Sequence, residues 1–353
     1  MSSQSKPAHA EPAANLYRVA IVGAASLKGK EVAEVLGDRN FPSMDIKLLD
    51  DDEALGQLES VGDEVNFIQS VRAEQFEHLD FAFFAADADC TRKNWKNARE
   101  AGSAIVDLTY ALEDEPGAVV RSPWIERETG KGMTPELQPG PSVVAHPAAV
   151  VLALLILRAQ NAGAVNYALA TIFEPASEHG QKGMDELHEQ TVNLLSFQPL
   201  PKKVFDAQVA FNLVPRYGEN SLPPLAAVEH RILKHYRVIA PQAPVPSLLL
   251  LQAPIFHGYG FALHLEMKEL VDLEVLSHAL SGEHVHVPGS AEDPPSNVSA
   301  AGQKEIQLAL SPDANHAQSV WLWATADNLR VAATTAVESA EIMAATRPRG
   351  KIQ

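Results

Sequence analysis

Cys90 is the only cysteine in this chain of 353 residues, so it carries the only thiol that could form a covalent intermediate. Asp87 and Asp89 precede it closely along the chain. Their negative charge disfavours the thiolate and raises the pKa of the thiol, which makes the sulfur a weak nucleophile. We therefore interpret Cys90 as a structural thiol.

His284 and His286 alternate with their neighbours in a way that would place both imidazoles on one face of a strand. Such a pair could hold an adventitious metal ion. The surrounding segment, 284–303, is rich in proline and has little apolar content, so an exposed polar loop is the favoured interpretation.

A glycine loop at 23–29 follows a β-branched apolar run and opens a helix-period stretch, a context in which backbone N–H groups can face a phosphate. Gly23 permits the tight turn and Gly29 the close packing of helix on strand. Ser26 replaces the middle glycine of the usual dinucleotide pattern. Gly23, Ala25, Ser26 and Gly29 are the candidate cofactor-binding residues, and a turn that binds nothing is an equally good interpretation.

Four acidic residues at 50–53 follow the second predicted strand, where dinucleotide-binding proteins recognise the adenosine ribose. They oppose NADP, whose 2′-phosphate needs a cation. One of them could instead bond the ribose diol of NAD. A solvated charged loop is the favoured interpretation, so no cofactor is assigned, and NAD and NADP both stay open.

The predicted elements indicate an α/β protein with a Rossmann-type doubly wound parallel sheet. Strands are predicted at 16–22, 45–49, 81–84 and 103–108, with helices between them. Alternating apolar residues at 165–173, 204–213, 247–255 and 261–267 predict a larger mixed or antiparallel sheet. Helices are predicted at 148–162, 188–195, 225–236 and 332–345, and loops at 113–141 and 284–303.

The formal charge of −17 repels phosphate backbones and anionic lipid, so nucleic-acid and membrane-surface partners are disfavoured. One cysteine cannot form an internal disulfide. The apolar stretch 143–157 is too short for a bilayer crossing and is typical of a buried helix. A disordered tail is predicted for residues 1–15, which lack the pattern of a signal peptide. The cytoplasm is the default location.

Several motifs together resemble those of the aspartate-semialdehyde dehydrogenase family, over about residues 17–344. They are Gly23-Ala24-Ala25 through Gly29, Arg39-Asn40-Phe41-Pro42, Val106-Asp107-Leu108-Thr109, Ser177 through Gly183, Ala210 through Pro215, Gln252 through Tyr259, and Ala326 through Arg330. Their order and spacing are specific although no single motif is. The Gln-Ala-Pro-x-Phe pattern and the missing cysteine resemble the Usg-like branch of this family.

The resemblance implies a two-domain architecture and a homodimer. A Rossmann-type nucleotide-binding-like domain would span 16–145 and be completed by a carboxyl-terminal helix at 326–346. An α+β dimerisation domain of the semialdehyde dehydrogenase type would span 146–325. In this family the second domains pair through a broad sheet, so the interface and the chemistry use different residues.

Enzymes of this family use a cysteine nucleophile, a histidine base, and an arginine that pairs with the substrate carboxylate. By resemblance, Ala149 occupies the cysteine position, Glu174 that of a substrate-orienting glutamine, Gln252 that of the arginine, and Tyr259 that of the histidine. A second anion-binding arginine becomes Glu113. The resemblance therefore implies that the family's catalytic residues are replaced.

The leading hypothesis is a pseudoenzyme that keeps the dimeric scaffold for a binding or regulatory role. Its remnant pocket would contain His146, His179, His257 and Arg231. The alternative is an active NAD(P)-dependent oxidoreductase that acts on a small carbonyl compound, with Tyr259 or His146 as proton donor and no covalent intermediate. The sequence does not identify the small-molecule ligand.

Overall fold

A computed structural model of the chain describes residues 16–51, 53–61, 64–132, 140–221, 223–270, 272–289 and 291–346, without the side chains of residues 60–65. The predicted disordered tail at 1–15 lies outside the described residues. Among the helices that are described, none combines the length and the apolar character that a bilayer crossing requires.

The first part of the chain builds a seven-stranded parallel sheet, which confirms the predicted doubly wound architecture. Its elements are β1 (Tyr17–Val22), α1 (Leu27–Asp38), β2 (Ser43–Asp50), β3 (Leu58–Val61), β4 (Glu64–Phe67), β5 (Gln69–Ser70), β6 (Phe81–Phe84), α2 (Ala88–Glu100), β7 (Ala104–Asp107), β8 (Val119–Arg121), α3 (Pro123–Thr129) and β9 (Ser142–Val144). The strand order is β5-β2-β1-β6-β7-β9-β8, and β3 and β4 form a separate hairpin.

The second part builds a six-stranded mixed sheet, also as predicted. Its elements are α4 (Pro147–Ala162), β10 (Val165–Glu174), α5 (Gly180–Leu195), α6 (Leu225–Ile239), β11 (Ser247–Gln252), β12 (Tyr259–Met267), α7 (Leu273–Leu280), β13 (Val285–His286), α8 (Asn297–Ala300), β14 (Ile306–Pro312), β15 (Ser319–Ala326) and α9 (Asn328–Thr346). The strand order is β11-β10-β12-β15-β14-β13.

The central strand β6 shows why the parallel sheet is buried on both faces. Phe81 and Phe83 join an apolar cluster with α1 and α9, and Ala82 and Phe84 join the cluster on the opposite face. A strand covered by helices on both sides has a continuous run of apolar residues, which is why β6 could be recognised in the sequence.

The turn after β1 brings the glycine loop against the end of β6. Gly23 has a φ of 89°, and a Cβ atom there would lie 2.2 Å from the backbone nitrogen of Ala86. Only glycine accommodates both the left-handed backbone and this close approach. The loop and β6 are therefore held in contact at the carboxyl edge of the sheet.

Helix α9 returns from the second sheet and packs against α1. Its alanines, including Ala332 and Ala336, lie in one apolar cluster with Val32 and Leu36. The last helix therefore shares the apolar cluster of α1 and β6, and its assignment to the first domain stays a prediction. The domain boundaries themselves, at 145/146 and 325/326, stay a prediction.

One face of the six-stranded sheet packs its apolar residues against α4, and the opposite face exposes large apolar side chains. The exposed set is Tyr167, Leu169, Leu249, Trp321 and Trp323, and the strand register places all five on the same face. We call this set the open sheet face. Apolar patches of this kind mark interaction surfaces.

Two predicted loops contain regular structure. The segment 113–141 holds the edge strand β8 and the helix α3, which begins at Pro123 because proline has no N–H to leave unpaired at a helix start. The segment 284–303 holds β13 and α8, where Ser296 and Ser299 form a reciprocal capping box. Short elements of this kind lack the hydrophobic periodicity that reveals longer ones.

The predicted strand at 204–213 is wrong, since no strand forms there. The Glu186 carboxylate on α5 accepts the backbone N–H groups of Lys203, Val204 and Phe205 at 2.6, 2.6 and 3.2 Å. On the same helix, Gln190 Oε1 accepts two more from Val209 and Ala210. Buried side chains thus satisfy backbone groups that a neighbouring strand would otherwise satisfy.

We expect Glu186→Gln to lower the free energy of unfolding by about 2–3 kcal/mol, because charge-assisted acceptance of three N–H groups is lost in a buried site. Urea denaturation at pH 7 measures the change. Glu189→Gln, an exposed position on the same helix, is the matched control and should change stability by less than about 0.5 kcal/mol. Equal effects of the two substitutions would contradict the role given to Glu186.

Candidate functional site

A cleft of about 490 Å³ lies where the carboxyl edge of the parallel sheet faces the start of α4 and the end of β10. Folds of this type bind ligands at that edge. Ser26, His146, Glu174, His179 and Arg231, all of them predicted site residues, line the cleft. A larger cavity of about 550 Å³ beside α3 is lined by none of these residues, so the candidate site is the cleft.

Other predicted site residues do not line the cleft. Ala149, Gln252 and Tyr259 are completely buried behind it. His257 also lies outside the cleft lining, which corrects the predicted pocket: Gly258, with a φ of 81°, turns the chain between His257 and the first residue of β12.

Ala149, which the resemblance assigns to the nucleophile position, lies in the first turn of α4. Ala149 is fully buried within an apolar cluster that includes Val150 and Leu152. The preceding His146 caps the helix, because its Nδ1 accepts the N–H of Ala148 at 3.3 Å. That acceptor role places the imidazole proton on Nε2. The local sequence thus builds a helix start and offers no reactive atom at this position.

Hydroxyl groups in the cleft have other partners. Ser26 Oγ donates to the carbonyl of Ala85, and Ser177 Oγ donates to Asn328 Oδ1. Thr109 Oγ1 donates to Asp107, whose carboxylate also accepts two backbone N–H groups and so holds the loop after β7. Among the described residues of the cleft lining, no hydroxyl is bonded to a histidine that could activate it.

Glu113 forms the centre of an ion-pair network at the rim. Its carboxylate contacts Arg231 at 3.2 Å, Lys234 at 3.4 Å and His235 Nε2 at 2.8 Å. Burial works to raise the pKa of Glu113, but the hydrogen bond from His235 and the charge of Arg231 outweigh it and lower the pKa from 4.5 to about 2. Glu113 is therefore ionised at neutral pH.

The network reaches the start of α4 through His235. Its Nδ1 accepts the backbone N–H of His146 at 2.9 Å while its Nε2 bonds Glu113. The sequence interpretation missed His235, although its spacing of four residues from Arg231 on α6 places both on one helix face. Burial lowers the pKa of His235 and lowers that of His146 well below its usual value, so both imidazoles are neutral near pH 7.

Two cations converge on the ring of Tyr110, which forms part of the cleft wall. Lys28 Nζ lies 4.8 Å and Arg231 Cζ 5.1 Å from the ring centroid. The ring also stacks on His146 at 5.4 Å between centroids. Burial raises the pKa of the Tyr110 phenol well above its usual value, so the phenol stays protonated.

A second network lies beneath the cleft, around Tyr217, which is outside the cleft lining. Its hydroxyl donates to Gln252 Oε1 at 2.6 Å and lies 2.8 Å from His179 Nε2, which is 3.1 Å from Glu174 Oε1. Gln252 Nε2 donates to the carbonyls of Glu174 and Ala253. The polar atoms of the Gln252 side chain are therefore occupied within the protein. Tyr217 could not be identified as a site residue from the sequence, because it lies in an irregular segment without a recognisable motif.

Two buried polar atoms near this network have no hydrogen-bond partner among the described residues. They are Glu174 Oε2 and the hydroxyl of Tyr259. Burial raises the pKa of Glu174, although the hydrogen bond and charge of His179 offset part of the effect. Burial also raises the pKa of Tyr259 well above its usual value.

The glycine loop suits a nucleotide only in part. The Ala25 N–H, a candidate phosphate donor, is bonded to Asp50 Oδ2 at 2.7 Å, and Ser26 Oγ accepts the N–H of Gly29 at 2.9 Å. Asp50 Oδ1 also accepts the N–H of Asp51. Asp50 is thus part of the loop rather than only solvated, and both its oxygens are already bonded.

A 2′-phosphate would meet the acids at the end of β2, so the described residues do not fit NADP. The N–H groups of Leu27 and Lys28, at the start of α1, have no acceptor in the described part of the chain. They can receive a smaller anion at a helix amino terminus.

Cys90 lies on α2 and does not line the cleft. Burial raises the pKa of its thiol, and Asp87 adds to the effect. The predicted pair His284 and His286 does not converge: His284 stacks on Trp124, and His286 bonds Glu292. Within the described residues, no group of three or more potential ligands is arranged to hold a metal ion.

Comparisons with known proteins identify both parts of the chain. Residues 18–133 match the description "Semialdehyde dehydrogenase, NAD binding domain", and residues 157–331 match "Semialdehyde dehydrogenase, dimerisation domain". A USG-1 protein homolog of Pseudomonas aeruginosa is 30% identical over 92% of this chain and 97% of its own length.

Two further relatives cover nearly the whole chain. Aspartate-semialdehyde dehydrogenase 2 of Vibrio cholerae is 26% identical over 93% of this chain and 97% of its own length. The solved structure of a probable aspartate-semialdehyde dehydrogenase from Pseudomonas aeruginosa is 28% identical, with a TM-score of 0.82 over 94% of this chain and 99% of that one.

We expect Glu113→Gln to lower the free energy of unfolding at pH 7 by about 1–2 kcal/mol, because Arg231, Lys234 and His235 lose a charged partner. A carboxylate with a depressed pKa stabilises the fold above its unfolded pKa, and the benefit disappears as the pH falls toward about 2. The difference between wild type and variant should therefore shrink below about pH 4.5.

Urea unfolding at several pH values between 7 and 3 measures this difference. Glu115→Gln is the matched control, since Glu115 forms no ion pair among the described residues. A Glu113→Gln effect that stays constant over this pH range would contradict the assignment.

Proposed function

We propose that this chain, which belongs to the semialdehyde dehydrogenase family, has lost covalent catalysis and uses its dimeric scaffold to bind a small ligand. One observation carries the proposal: the helix start where a nucleophile would lie presents Ala149, fully buried in an apolar cluster. A methyl group cannot form the thioester on which the family's chemistry depends.

The partners of the missing nucleophile support the same proposal. Gln252, at the position of the carboxylate-binding arginine, is uncharged, and its polar atoms are bonded within the protein. Glu113, at an anion-binding position, carries a negative charge that Arg231 and Lys234 already neutralise. An incoming phosphate would have to compete with this internal carboxylate.

The alternative, an oxidoreductase without a covalent intermediate, has less support. Tyr259 would have to deliver a proton, but its phenol does not line the cleft and burial raises its pKa well above neutrality. His146 lines the cleft, but burial lowers its pKa, so it holds no transferable second proton near pH 7. The acidic residues at the end of β2 also oppose the binding of NADP. A binding titration with NAD would test whether that cofactor binds.

We also propose that the open sheet face forms the homodimer interface. The match to a dimerisation domain over residues 157–331 includes all the strands that carry this face. Its exposed tyrosine, leucines and tryptophans are the residue types that fill the apolar centre of obligate interfaces. The proposed second domain, 146–325, would then supply the interface, and the first domain one wall of the cleft.

We expect no formation of NADPH from aspartate semialdehyde, NADP and phosphate by the wild-type protein or by Ala149→Cys. A thiol at the buried position 149 would be desolvated, with a raised pKa, and would lack the family's histidine base and carboxylate-binding arginine. Absorbance at the NADPH band measures the reaction. Aspartate-semialdehyde dehydrogenase 2 of Vibrio cholerae is the positive control, and a wild-type rate above the enzyme-free blank would overturn the proposal.

We expect Leu249→Arg to convert the dimer to monomer, because an arginine would place an unpaired charge in an apolar interface. Sedimentation velocity measures the mass of the species. Leu270→Arg, at an exposed leucine outside the sheet, is the control and should remain dimeric. A Leu249→Arg dimer of unchanged stability would show that the open sheet face is not the interface.

A further inference from the structure

A second cavity lies outside the cleft, along the free edge of the parallel sheet. Its volume of about 550 Å³ is within the range that small-molecule sites occupy. The edge strand β8, the helix α3, the end of α6 and Met343 of α9 contribute to its walls. Among the described residues, none lines both this cavity and the cleft, so the two are separate candidate sites.

The strand β8 leaves a backbone donor and a backbone acceptor without partners. It is the last strand of its sheet, where the Val119 N–H donates to the carbonyl of Pro141 in front of β9 at 2.9 Å. The Arg121 carbonyl accepts the N–H of Ala145, just beyond β9, at 3.0 Å. Because successive residues of a strand direct their backbone polar groups to opposite sides, those of Val120 face the free edge. Neither the N–H nor the carbonyl of Val120 has a partner in the described part of the chain.

Two buried hydroxyl groups of the cavity wall also lack partners. Ser122 and Ser142 line the cavity and are 1% and 3% exposed, and neither Oγ atom forms a hydrogen bond with the described residues. A buried hydroxyl without a partner is destabilising, and a polar atom of a ligand would supply the missing bond. The wall therefore offers hydrogen-bonding groups at the two serines as well as at β8.

The buried charges at this cavity are balanced. Arg121 Nε donates to Glu126 Oε1 at 2.9 Å, and Arg121 Nη2 donates to the other carboxylate oxygen. Lys131, the remaining charged residue of the described lining, is exposed, so water screens its charge. Burying an ion without a counter-charge is unfavourable, and the cavity therefore favours an uncharged polar group.

Apolar side chains form much of the remaining wall. Ile125 and Met343 are buried, Val238 is half exposed, and all three line the cavity. An alkyl group placed against them would be removed from water, which is favourable in proportion to the apolar area buried.

We propose that this cavity binds a small uncharged amide that carries an alkyl group. The N–H and carbonyl of one extended residue of the ligand exchange two hydrogen bonds with Val120, as a residue of an added antiparallel strand does. The alkyl group packs against Ile125, Val238 and Met343. This site is additional to the cleft and does not depend on the function proposed for the cleft.

Isothermal titration calorimetry with N-acetylleucine N-methylamide tests the proposal on the full chain. In its depsipeptide analogue an ester oxygen replaces the leucine N–H, so the analogue cannot donate to the Val120 carbonyl. We expect the amide to bind at least about tenfold more tightly than this ester. N-acetylglycine N-methylamide, which lacks the alkyl group, should bind at least about tenfold more weakly than the leucine compound.

Two pairs of variants locate the site. Val238→Asp should weaken binding of the leucine compound at least about tenfold, because a hydrated carboxylate replaces part of the apolar wall. Val192→Asp, at a similarly exposed valine on α5 outside the cavity, is its control and should keep the wild-type affinity. Ser142→Ala should weaken binding about threefold or more without lowering the melting temperature, since this hydroxyl has no bond within the described chain to lose. Ser103→Ala, at a buried serine outside the cavity, should leave the affinity unchanged.

Thermal melts verify that each variant is folded. Equal affinity for the amide and the ester, wild-type affinity in both Val238→Asp and Ser142→Ala, or no binding of the leucine compound would overturn the inference. None of these outcomes bears on the NADPH assay, so the proposed loss of catalysis is tested separately.

Discussion

The carboxylate of Glu113 links the parts of the molecule on which the cleft depends. It lies in the loop after β7, contacts Arg231 and Lys234 on α6, and bonds His235, which in turn accepts the N–H of His146 at the start of α4. A buried charge of this kind cannot be released without leaving its partners unpaired. The wall of the cleft is therefore fixed by an anion that belongs to the chain itself.

This internal anion supports the proposal that the scaffold persists without the family's chemistry. Gln252 donates to two carbonyls and accepts from Tyr217, and Ala149 fills an apolar cluster. Gln252 and Ala149 make the hydrogen bonds and apolar contacts that buried residues need, so this region is packed as part of the core. The exceptions are Glu174 Oε2 and the hydroxyl of Tyr259, which are buried without a hydrogen-bond partner among the described residues.

The sequence could predict elements whose own residues determine their structure. The run at 81–84 is apolar throughout because β6 is buried on both faces, and Gly23 is required by a turn. The strand predicted at 204–213 was wrong because Glu186 and Gln190 bond the backbone of this segment. Such long-range side-chain contacts leave no local pattern.

The candidate site was predictable only where one segment carried the information. The family motifs located His146, Glu174 and His179, which line the cleft. The sequence interpretation did not foresee that Lys28, Lys182, Lys203 and Arg231 all line the cleft. These cations come from α1, α5, α6 and the segment after α5, far apart along the chain, and only the folded structure brings them together.

Three pKa shifts at the cleft oppose proton transfer, whereas burial raises the pKa of Glu174, the direction that suits a general acid or base. A general acid or base works best with a pKa near the operating pH. Here the pKa of Glu113 is lowered to about 2, and the pKa of His146 is lowered well below its usual value. The pKa of Tyr110 is raised well above its usual value. Fixed charges and fixed neutral groups form a permanent electrostatic pattern, which supports the proposed binding of a ligand of matching polarity.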